Sequence, residues 1–443
     1  MNFAQVSKYL DDALIFGIKP SLTRIEKILE LMGDPHKSSD YIHIVGTNGK
    51  TSTAIMLAGI LKNMGLRSGY HISPHIDSYT ERIWLDGSDI SEERFTDAFN
   101  RMYPYIGEVN CLDLGGPITQ FEMISALAFM IARDEKIRIM VLEAGMGGRW
   151  DATNVADSRV AGLTGVSLEH TNILGDTIAE IAAEKVEVIK KGARAATLSH
   201  DPEVLDVFRK KVKSAGAGCY LNGSDFKVAA ARSMGLSGWV VDIDGIYGRY
   251  PGIKLPLPGD YQPSNLSLAV ALAELYMDLK GKKVDPGLLK DSLSAIYVKG
   301  RFEILRNNPT IIADASHNPE GTVKFCHTVE RYLGPKRKII IFAVLADKDY
   351  RQMIKQVIRT ADRLILTSSR DSRSLPLERL REETISMMEK HYDRSILPEE
   401  VCMIDTIENS LNYALKISDT NDIIFITGSI TNLEHLDTIL NKD

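Results

Sequence analysis

The chain has 443 residues, 44% of them hydrophobic and 25% charged, and its formal net charge is −6. At roughly 150 residues per domain, this length predicts two or three domains that can bury sizeable cores. The acidic balance argues against nucleic acid or an anionic membrane as a partner. The sequence shows no secretory signal and no apolar run long enough to span a bilayer. Its four cysteines are scattered, as in proteins of a reducing compartment, and we expect a cytoplasmic location.

The first part of the chain alternates predicted strands with predicted helices. Residues 41–45 predict a buried strand, residues 46–49 a loop, and residues 50–64 a helix. Helices at 121–131 and 177–190 alternate with strands at 137–142 and 160–166. This order is typical of a parallel, doubly wound sheet, in which ligands bind at the carboxyl ends of the strands.

The pattern then changes twice. Helical periodicity disappears between about residues 216 and 258, where the chain around Asp244 and Gly245 predicts a hairpin. We interpret this stretch as a small β insertion in the first domain. A second α/β run begins at residue 310, with strands predicted at 310–313, 338–344, 363–367 and 423–427. The predicted fold is α/β with two domains, residues 1–296 and residues 301–443, joined by a linker at 297–300.

The strongest local signal is the segment Gly46-Thr-Asn-Gly-Lys-Thr-Ser52, between a predicted strand and a predicted helix. Exposed backbone N–H groups and the helix dipole favour a phosphate at such a loop. Lys50 can reach the β and γ oxygens of a nucleotide, and Thr51 can hold Mg²⁺. Ile44 stands where the full phosphate-loop pattern has its first glycine. We interpret the segment as a phosphate site, with a purely structural turn as the alternative.

Two polar side chains follow neighbouring predicted strands. Glu143 ends one strand and precedes a glycine-rich stretch, and His170 follows the next. A carboxylate there can bind the Mg²⁺ of a nucleotide, since hard cations take oxygen ligands. The alternatives are a solvated strand-end acid for Glu143 and an ordinary core or surface group for His170. Their neighbouring positions favour a metal site.

Lys185 occupies an unexpected position for a lysine. On the predicted helix it lies four residues after Ile181 and three after Ala182, so it falls on the apolar stripe. Lysine is rarely buried unless it is paired. Its chain can extend outward to water, or its amine can pair with an anion. A third possibility is that burial lowers its pKa and the free amine reacts with carbon dioxide to form a carbamate.

These motifs resemble those of the Mur ligase superfamily, and in particular its folylpolyglutamate synthase and dihydrofolate synthase branch. The phosphate segment resembles the ATP loop of that superfamily. The resemblance to the branch continues in order toward the C-terminus. It includes the segments Ile72-Ser-Pro-His75, Glu143-Ala-Gly-Met-Gly-Gly-Arg-Trp-Asp-Ala-Thr-Asn154, Glu169-His-Thr-Asn-Ile-Leu-Gly175, Ile181-Ala-Ala-Glu-Lys185, Gly300-Arg-Phe-Glu303, Asp314-Ala-Ser-His-Asn-Pro319 and Thr427-Gly-Ser429.

The resemblance implies a P-loop ATPase-type N-terminal domain and a Rossmann-like C-terminal domain that binds glutamate. It implies ATP and two Mg²⁺ ions as cofactors, Lys185 as a carbamylated lysine, and Lys50, Lys185 and His317 as catalytic residues. The implied ATP contacts are Thr47, Asn48, Gly49, Lys50, Thr51, Ser52, Asn265, Arg301 and Asp314. The implied metal ligands are Thr51, Ser73, Glu143, His170 and carbamylated Lys185. The implied pterin or folate contacts are Thr119, Gln120, Phe121, Trp150, Asp151 and Ala152. The implied glutamate contacts are His317 and Ser429.

The implied reaction joins L-glutamate to a folate, and as a further option to dihydropteroate, through an acyl phosphate made from ATP. The implied partners are these small molecules alone, bound by a monomer. Several positions depart from the usual pattern of the family, among them Tyr261, Glu169 and residues 369–373. Two further hypotheses are a wall-synthesis ligase acting on a UDP-linked peptide and a nucleotide-controlled binding protein.

Overall fold

The computed structural model describes residues 1–16, 20–334, 336–390 and 397–440. The chain divides into two compact units. Unit 1 contains residues 1–232, 240–255 and 262–296, and unit 2 contains residues 233–239, 256–261 and 297–443. Two short segments that the sequence assigned to the first domain therefore cluster with unit 2.

In the described part of unit 1, a mixed sheet has the strand order β4-β3-β2-β5-β1-β6-β7-β8. Its strands are β1 (Asp40–Val45), β2 (Ser68–His71), β3 (Ile83–Leu85), β4 (Ser88–Asp89), β5 (Ile139–Glu143), β6 (Val160–Leu163), β7 (Arg194–Thr197) and β8 (Gly218–Leu221). Strands β2, β5, β1, β6, β7 and β8 run parallel, whereas β3 and β4 are antiparallel additions at one edge. The parallel order brings the carboxyl ends of β2, β5, β1 and β6 side by side.

Helices cover both faces of this sheet, as expected for a doubly wound fold. They are α1 (Phe3–Asp12), α2 (Thr23–Leu31), α3 (Lys50–Asn63), α4 (Glu92–Asn110), α5 (Gln120–Asp134), α6 (Thr171–Leu174), α7 (Ile178–Lys185), α8 (Pro202–Ala215), α9 (Gln262–Leu279) and α10 (Pro286–Leu293). Helix α9 is apolar nearly all round and is almost completely buried, and α3 buries more than half of its residues. The helix predicted at 177–190 ends at Lys185, and a 3₁₀ turn, Val186–Val188, follows it.

The β insertion is smaller than predicted. It is a three-stranded sheet in the order β11-β10-β9, made of β9 (Lys227–Ser233), β10 (Trp239–Asp244) and β11 (Arg249–Leu255). The stretch from Gly218 to Leu221, which the sequence assigned to the insertion, is instead the edge strand β8 of the large sheet. Its half-exposed residues give a weak strand pattern, so the sequence alone did not separate it from the insertion.

In the described part of unit 2, a second sheet has the order β12-β13-β17-β14-β15-β16, parallel except for β12. Its strands are β12 (Glu303–Asn307), β13 (Thr310–Ala313), β14 (Lys338–Phe342), β15 (Arg363–Leu366), β16 (Val401–Met403) and β17 (Ile423–Thr427). Its helices are α11 (Pro319–Leu333), α12 (Tyr350–Thr360), α13 (Leu377–Lys390), α14 (Ile407–Ile417) and α15 (Leu436–Leu440). Phe302, Phe325 and Phe425 pack against one another in its core.

The two short segments of unit 2 are held by specific contacts within that unit. Trp239 is buried, its indole N–H donates to the carbonyl of Gly259 at 3.1 Å, and its ring packs edge-on against Tyr332. The Tyr332 hydroxyl donates to Asp260 at 2.8 Å.

Among the described residues, no helix combines the length and the apolar character that crossing a bilayer requires.

Candidate active site

The phosphate loop lies between β1 and α3, as the sequence predicted. Gly49 occupies the N-cap position of α3 with φ +90°, and no side chain caps the helix there. The amide groups of the first turn therefore stay available to an anion, and the helix dipole adds a partial positive charge.

Two glycines of this loop allow close approaches that a larger residue would block. A Cβ on Gly46 would lie 1.9 Å from the hydroxyl oxygen of Thr164, and one on Gly49 would lie 2.5 Å from Oδ1 of Asn265. Both glycines have positive φ. The close approach brings Asn265, at the start of α9, against the loop, which agrees with its implied place in an ATP site.

Lys50 folds back over the loop. Its Nζ donates to the carbonyls of Gly46 at 3.1 Å and Thr47 at 3.0 Å. The Thr47 hydroxyl accepts from the backbone N–H of Ser167 at 3.1 Å, which ties the loop to the end of β6. Lys50 thus places its positive charge directly over the loop that would receive phosphate.

Thr51 and Glu143 lie close together near the carboxyl ends of the paired strands β1 and β5. The Thr51 hydroxyl donates to the carboxylate of Glu143 at 3.1 Å and 3.0 Å, and the carboxylate is buried. The backbone N–H of Ser73, which follows β2, donates to the same carboxylate at 3.4 Å. Three implied metal ligands are therefore adjacent in the structure.

The chemistry of this donor set fits Mg²⁺. Within the described residues, no group of three or more His, Cys, Asp or Glu side chains is placed to hold a metal. One carboxylate and two hydroxyl groups leave most coordination positions to water and phosphate oxygens. Mg²⁺ is usually bound in this way, whereas a site built wholly from protein ligands is typical of Ca²⁺ or structural zinc.

Lys185 points inward, so the solvent-exposed alternative is wrong. Its side chain is buried, and its Nζ donates to the carbonyl of Gly46 at 2.9 Å. Burial, followed by the nearby charge of Lys50, lowers the pKa of Lys185 to about 7, although Glu169 and Asp151 oppose the shift. Near neutral pH a substantial fraction of this amine is therefore uncharged and nucleophilic.

His170 is held in a left-handed backbone conformation at the start of α6, with φ +53°. Its Nε2 lies 3.9 Å from a carboxylate oxygen of Glu169. Both residues follow β6, next to β1 in the sheet. Their position at the same end of the sheet agrees with the implied metal-binding role of His170.

The implied pterin contacts have mixed environments. Thr119 caps α5, and the Gln120 side chain donates to the Leu10 carbonyl and the Tyr79 hydroxyl. Asp151 is buried and accepts hydrogen bonds from the backbone of Met146 and from Thr153. Burial raises its pKa despite these bonds. Of the remaining implied contacts, Phe121 packs partly buried against the hydrophobic core and Ala152 lies within that core. The side chain of Trp150 is exposed.

A cavity of about 490 Å³ lies beside this region, within unit 1. Trp150 lines it together with the loop Met146–Gly148, Ile173 and Leu174 on α6, and Glu180 and Glu184 on α7. An exposed indole with apolar neighbours suits a flat heterocycle. The two carboxylates already have partners within the protein, Glu180 at the N-terminus of α7 and Glu184 at Arg149.

Unit 2 has its own group of candidate residues at the carboxyl ends of β13 and β17. Asp314 is buried and accepts from the backbone N–H groups of Phe302 and Ser316. Burial raises its pKa, while the Ser316 hydroxyl and the charge of Arg301 oppose that shift. The ring of His317 bonds through Nδ1 to the carbonyl of Ala315 at 2.9 Å.

Ser429 lies two residues after the end of β17, the neighbour of β13. The backbone N–H of Gly428 donates to the carbonyl of Ser316 at 3.1 Å, which joins the loops that carry Ser429 and His317. The two implied glutamate contacts therefore lie on loops that touch each other.

Comparison with known proteins gives a consistent answer. The pattern of the Mur ligase middle domain matches residues 44–273, and that of the Mur ligase glutamate ligase domain matches residues 300–430. The chain is 30% identical to the dihydrofolate synthase/folylpolyglutamate synthase of Mycobacterium tuberculosis, a match that covers 96% of this chain and 91% of that protein. The chain belongs to the folylpolyglutamate synthase branch of the Mur ligase superfamily.

Other members of the branch agree. The folylpolyglutamate synthase of Lacticaseibacillus casei is 32% identical, and the match covers 80% of this chain and 82% of that protein. The solved structure of Mycobacterium tuberculosis folylpolyglutamate synthase complexed with ADP superposes with a TM-score of 0.90 at 30% identity, covering 100% of this chain and 98% of that one. The two-domain Mur ligase fold expected from the motifs is thereby confirmed.

Sequence reasoning about this Mur ligase missed one buried ion pair next to the implied pterin contacts. Arg24 and Glu122 lie 3.0 Å apart, and both side chains are almost fully buried. Glu122 also accepts from the backbone and hydroxyl of Thr119 at 2.7 Å and 2.9 Å. The Thr-x-x-Glu spacing of a capping box was visible in the sequence and could have identified Glu122. Nothing local identified its partner, which is 98 residues away.

Proposed function

We propose that this protein ligates L-glutamate to a folate at the expense of ATP, and that dihydropteroate is a second acceptor. The observation that carries the proposal is the hydrogen bond between Thr51 and Glu143 beside the phosphate loop. Almost the whole length of the chain also matches an enzyme named for these two activities. A nucleotide-controlled binding protein would need no acceptor pocket, whereas unit 1 has a cavity suited to a flat heterocycle.

ATP binds with its phosphates on the loop of residues 46–49 and the first turn of α3. The backbone N–H groups there and the ammonium of Lys50 neutralise the β and γ phosphates, while Thr47, Asn48, Ser52 and Asn265 hold the loop or the nucleotide. The resemblance also implies Arg301 and Asp314, both in unit 2, as ATP contacts. Thr51, Ser73 and Glu143 hold one Mg²⁺, which supplies charge stabilisation for the transferred phosphoryl group.

A second Mg²⁺ is held by His170 and by a carbamate on Lys185. The uncharged Nζ of Lys185 attacks carbon dioxide, forms an N–C bond and releases one proton, which leaves a negatively charged carbamate. The burial of this amine and its contact with the loop at Gly46 support this modification. The carbamate would give this second site an anionic oxygen ligand in addition to the His170 ring.

The reaction has two chemical steps. An oxygen of the acceptor carboxylate attacks the γ-phosphorus of ATP, which gives an acyl phosphate and ADP. The amine of glutamate then attacks the acyl carbon, phosphate leaves, and the nitrogen loses a proton to give the amide. The protein mainly positions the reactants and neutralises charge, and water must be kept from the acyl phosphate.

The two organic substrates have separate candidate sites. The acceptor lies along Thr119, Gln120 and Phe121 and the segment Trp150–Ala152, with the adjoining cavity available for its ring system. Glutamate is held by His317 and Ser429 in unit 2. We further propose that the protein acts as a monomer, which sedimentation of the purified chain would check.

The deciding experiment measures ADP release by the purified protein with Mg-ATP and L-glutamate. Tetrahydrofolate and dihydropteroate are added separately, each with and without glutamate. Release that needs tetrahydrofolate and glutamate together supports folate polyglutamylation, and release with dihydropteroate and glutamate adds the second activity. If no pterin stimulates release, the folate assignment is wrong, and UDP-linked wall precursors become the acceptors to test.

A further inference from the structure

Three hydroxyl groups form a continuous chain across the carboxyl end of the unit 2 sheet. The oxygens of Ser369 and Thr431 lie 2.6 Å apart, and those of Thr431 and Ser429 lie 2.8 Å apart. Ser369 follows β15, whereas Ser429 and Thr431 follow β17, and β14 lies between those strands. The hydroxyl chain therefore links two loops from non-adjacent strands.

Ser429 has an unusual orientation for its position. It is the N-cap residue of the short 3₁₀ helix Ile430–Leu433, and a serine there normally accepts a hydrogen bond from a helix N–H. Its side chain makes no such bond. The hydroxyl is buried and turned toward Thr431 instead, so Thr431 fixes the orientation of Ser429.

The far end of the chain is compatible with a hydrogen-bond order that runs from Ser369 toward Ser429. The backbone N–H of Asp371 donates to the oxygen of Ser369 at 3.5 Å, and a backbone N–H can only donate. That bond does not use the hydrogen of Ser369, so one available order has Ser369 donating to Thr431 and Thr431 donating to Ser429. This order leaves the hydrogen of Ser429 available to an external acceptor such as a carboxylate oxygen. Each bond also polarises the next one.

The loop that carries Ser369 is itself fastened in place. The backbone N–H of Ser369 donates to the hydroxyl of Ser374 at 2.9 Å, and the guanidinium of Arg370 donates to the carbonyl of Glu434 at 3.0 Å. Two separate contacts, the hydroxyl chain and the Arg370 bond, thus connect this loop to the segment after β17. The position of Ser429 depends on residues 369–374, which are remote from it in sequence.

We propose that Thr431, supported by Ser369, is a positioning residue for the incoming amino acid. It orients the hydroxyl of Ser429 so that this group donates to a carboxylate oxygen of that substrate. The inference rests on the proposed function, because it takes Ser429 as a glutamate contact. It assigns to residues 369 and 431 a role in binding the amino acid and none in binding ATP.

The test compares steady-state kinetics of Thr431→Val with the wild-type enzyme. Valine keeps the shape of threonine but removes the hydroxyl, so the KM for glutamate should rise about three- to tenfold, as for loss of one neutral hydrogen bond. The KM for ATP should not change. Thr431→Ser should restore the wild-type KM for glutamate. The matched control is Thr384→Val in α13, where a buried threonine hydroxyl donates within its own helix to the Leu380 carbonyl.

Ser369→Ala provides a second variant in case Thr431→Val does not fold, and it should raise the same KM by a smaller factor. Equal KM values for glutamate in wild type, Thr431→Val and Ser369→Ala would overturn the inference while leaving the proposed function intact. If the wild-type protein shows no glutamate-dependent ADP release with any pterin, the proposed function itself fails. The two failures are therefore distinguishable.

Discussion

The hydroxyl of Thr51 lies 3.0 Å from Oε2 of Glu143, although 92 residues separate the two in sequence. The contact follows from strand pairing, because β1 and β5 run parallel and Ile44 is in register with Glu143. A loop and a carboxylate at the ends of two such strands must lie close together. The fold thus brings a phosphate loop and a metal-binding acid together without any local sequence link.

The first prediction concerns Glu143. Replacement by Gln removes the negative charge but keeps the shape, so Mg²⁺ loses a charged ligand and kcat/KM should fall by about 100-fold or more. Steady-state ADP release at increasing Mg²⁺ measures the effect, and the exposed Glu93→Gln on α4 is the control. Wild-type Mg²⁺ dependence in Glu143→Gln would remove Glu143 from the metal site.

The second prediction concerns the modification of Lys185. Protein equilibrated with ¹³C-labelled bicarbonate should show a carbamate carbon resonance, and Lys185→Ala should lack it and lose about 100-fold in activity. Added short carboxylic acids should restore part of that activity. The same replacement at Lys190 is a suitable control, because burial also lowers the pKa of Lys190 and its Nζ donates to the Asn154 carbonyl at 2.7 Å. An unchanged spectrum in Lys185→Ala would place any carbamate elsewhere.

The third prediction separates backbone strain from steric blocking in the phosphate loop. Gly46→Ala combines positive φ with a Cβ 1.9 Å from the hydroxyl of Thr164, so the loop must move. We expect loss of ATP binding and an unfolding free energy lower by more than about 1 kcal/mol. Gly65→Ala has positive φ but open space around its Cβ, so it should cost about 1 kcal/mol and leave ATP binding unchanged. Calorimetry of ATP binding and urea denaturation measure the two effects.

The fourth prediction concerns stability in acid. Burial lowers the pKa of His43 to about 3 and that of His71 to about 4. The unfolded chain, with ordinary histidine pKa values near 6.5, then binds more protons than the folded chain, so stability rises with pH in this window. The free energy of unfolding should fall as pH drops from about 6.5 toward 4, by at most about 1.4 kcal/mol per pH unit for each histidine.

Urea denaturation across this pH range provides the measurement. His71→Gln should reduce the slope relative to wild type, whereas His200→Gln, at an exposed position, should keep it. A slope that is the same in all three proteins would assign the acid sensitivity to carboxylates.

The nucleotide side of the site was predictable because it depends on local patterns and one topological rule. Glu143 and Lys50 each follow a recognisable strand or loop, and parallel pairing brings such strand ends together. The inward position of Lys185 also followed from helical periodicity. The end of α7 did not, because Val186 and Val188 continue the apolar pattern and are buried in the core although they lie in a 3₁₀ turn after the helix.

Contacts that join distant segments could not be predicted. The Arg24–Glu122 pair and the bond between Ser369 and Thr431 depend on the packing of elements far apart in the chain. No period or spacing connects their partners. The roles of the pterin contacts likewise remain predictions, since Asp151 uses its oxygens within the protein.

The interleaved chain path of unit 2 limits how this enzyme can be built and dissected. Trp239 and Gly259 leave the ribosome well before Tyr332, so the indole lacks its aromatic neighbour until the first part of the C-terminal region has been synthesised. A recombinant fragment that begins at Tyr297 would lack both residues and should fold poorly. Any chimera that exchanges C-terminal regions between relatives must also carry residues 233–239 and 256–261.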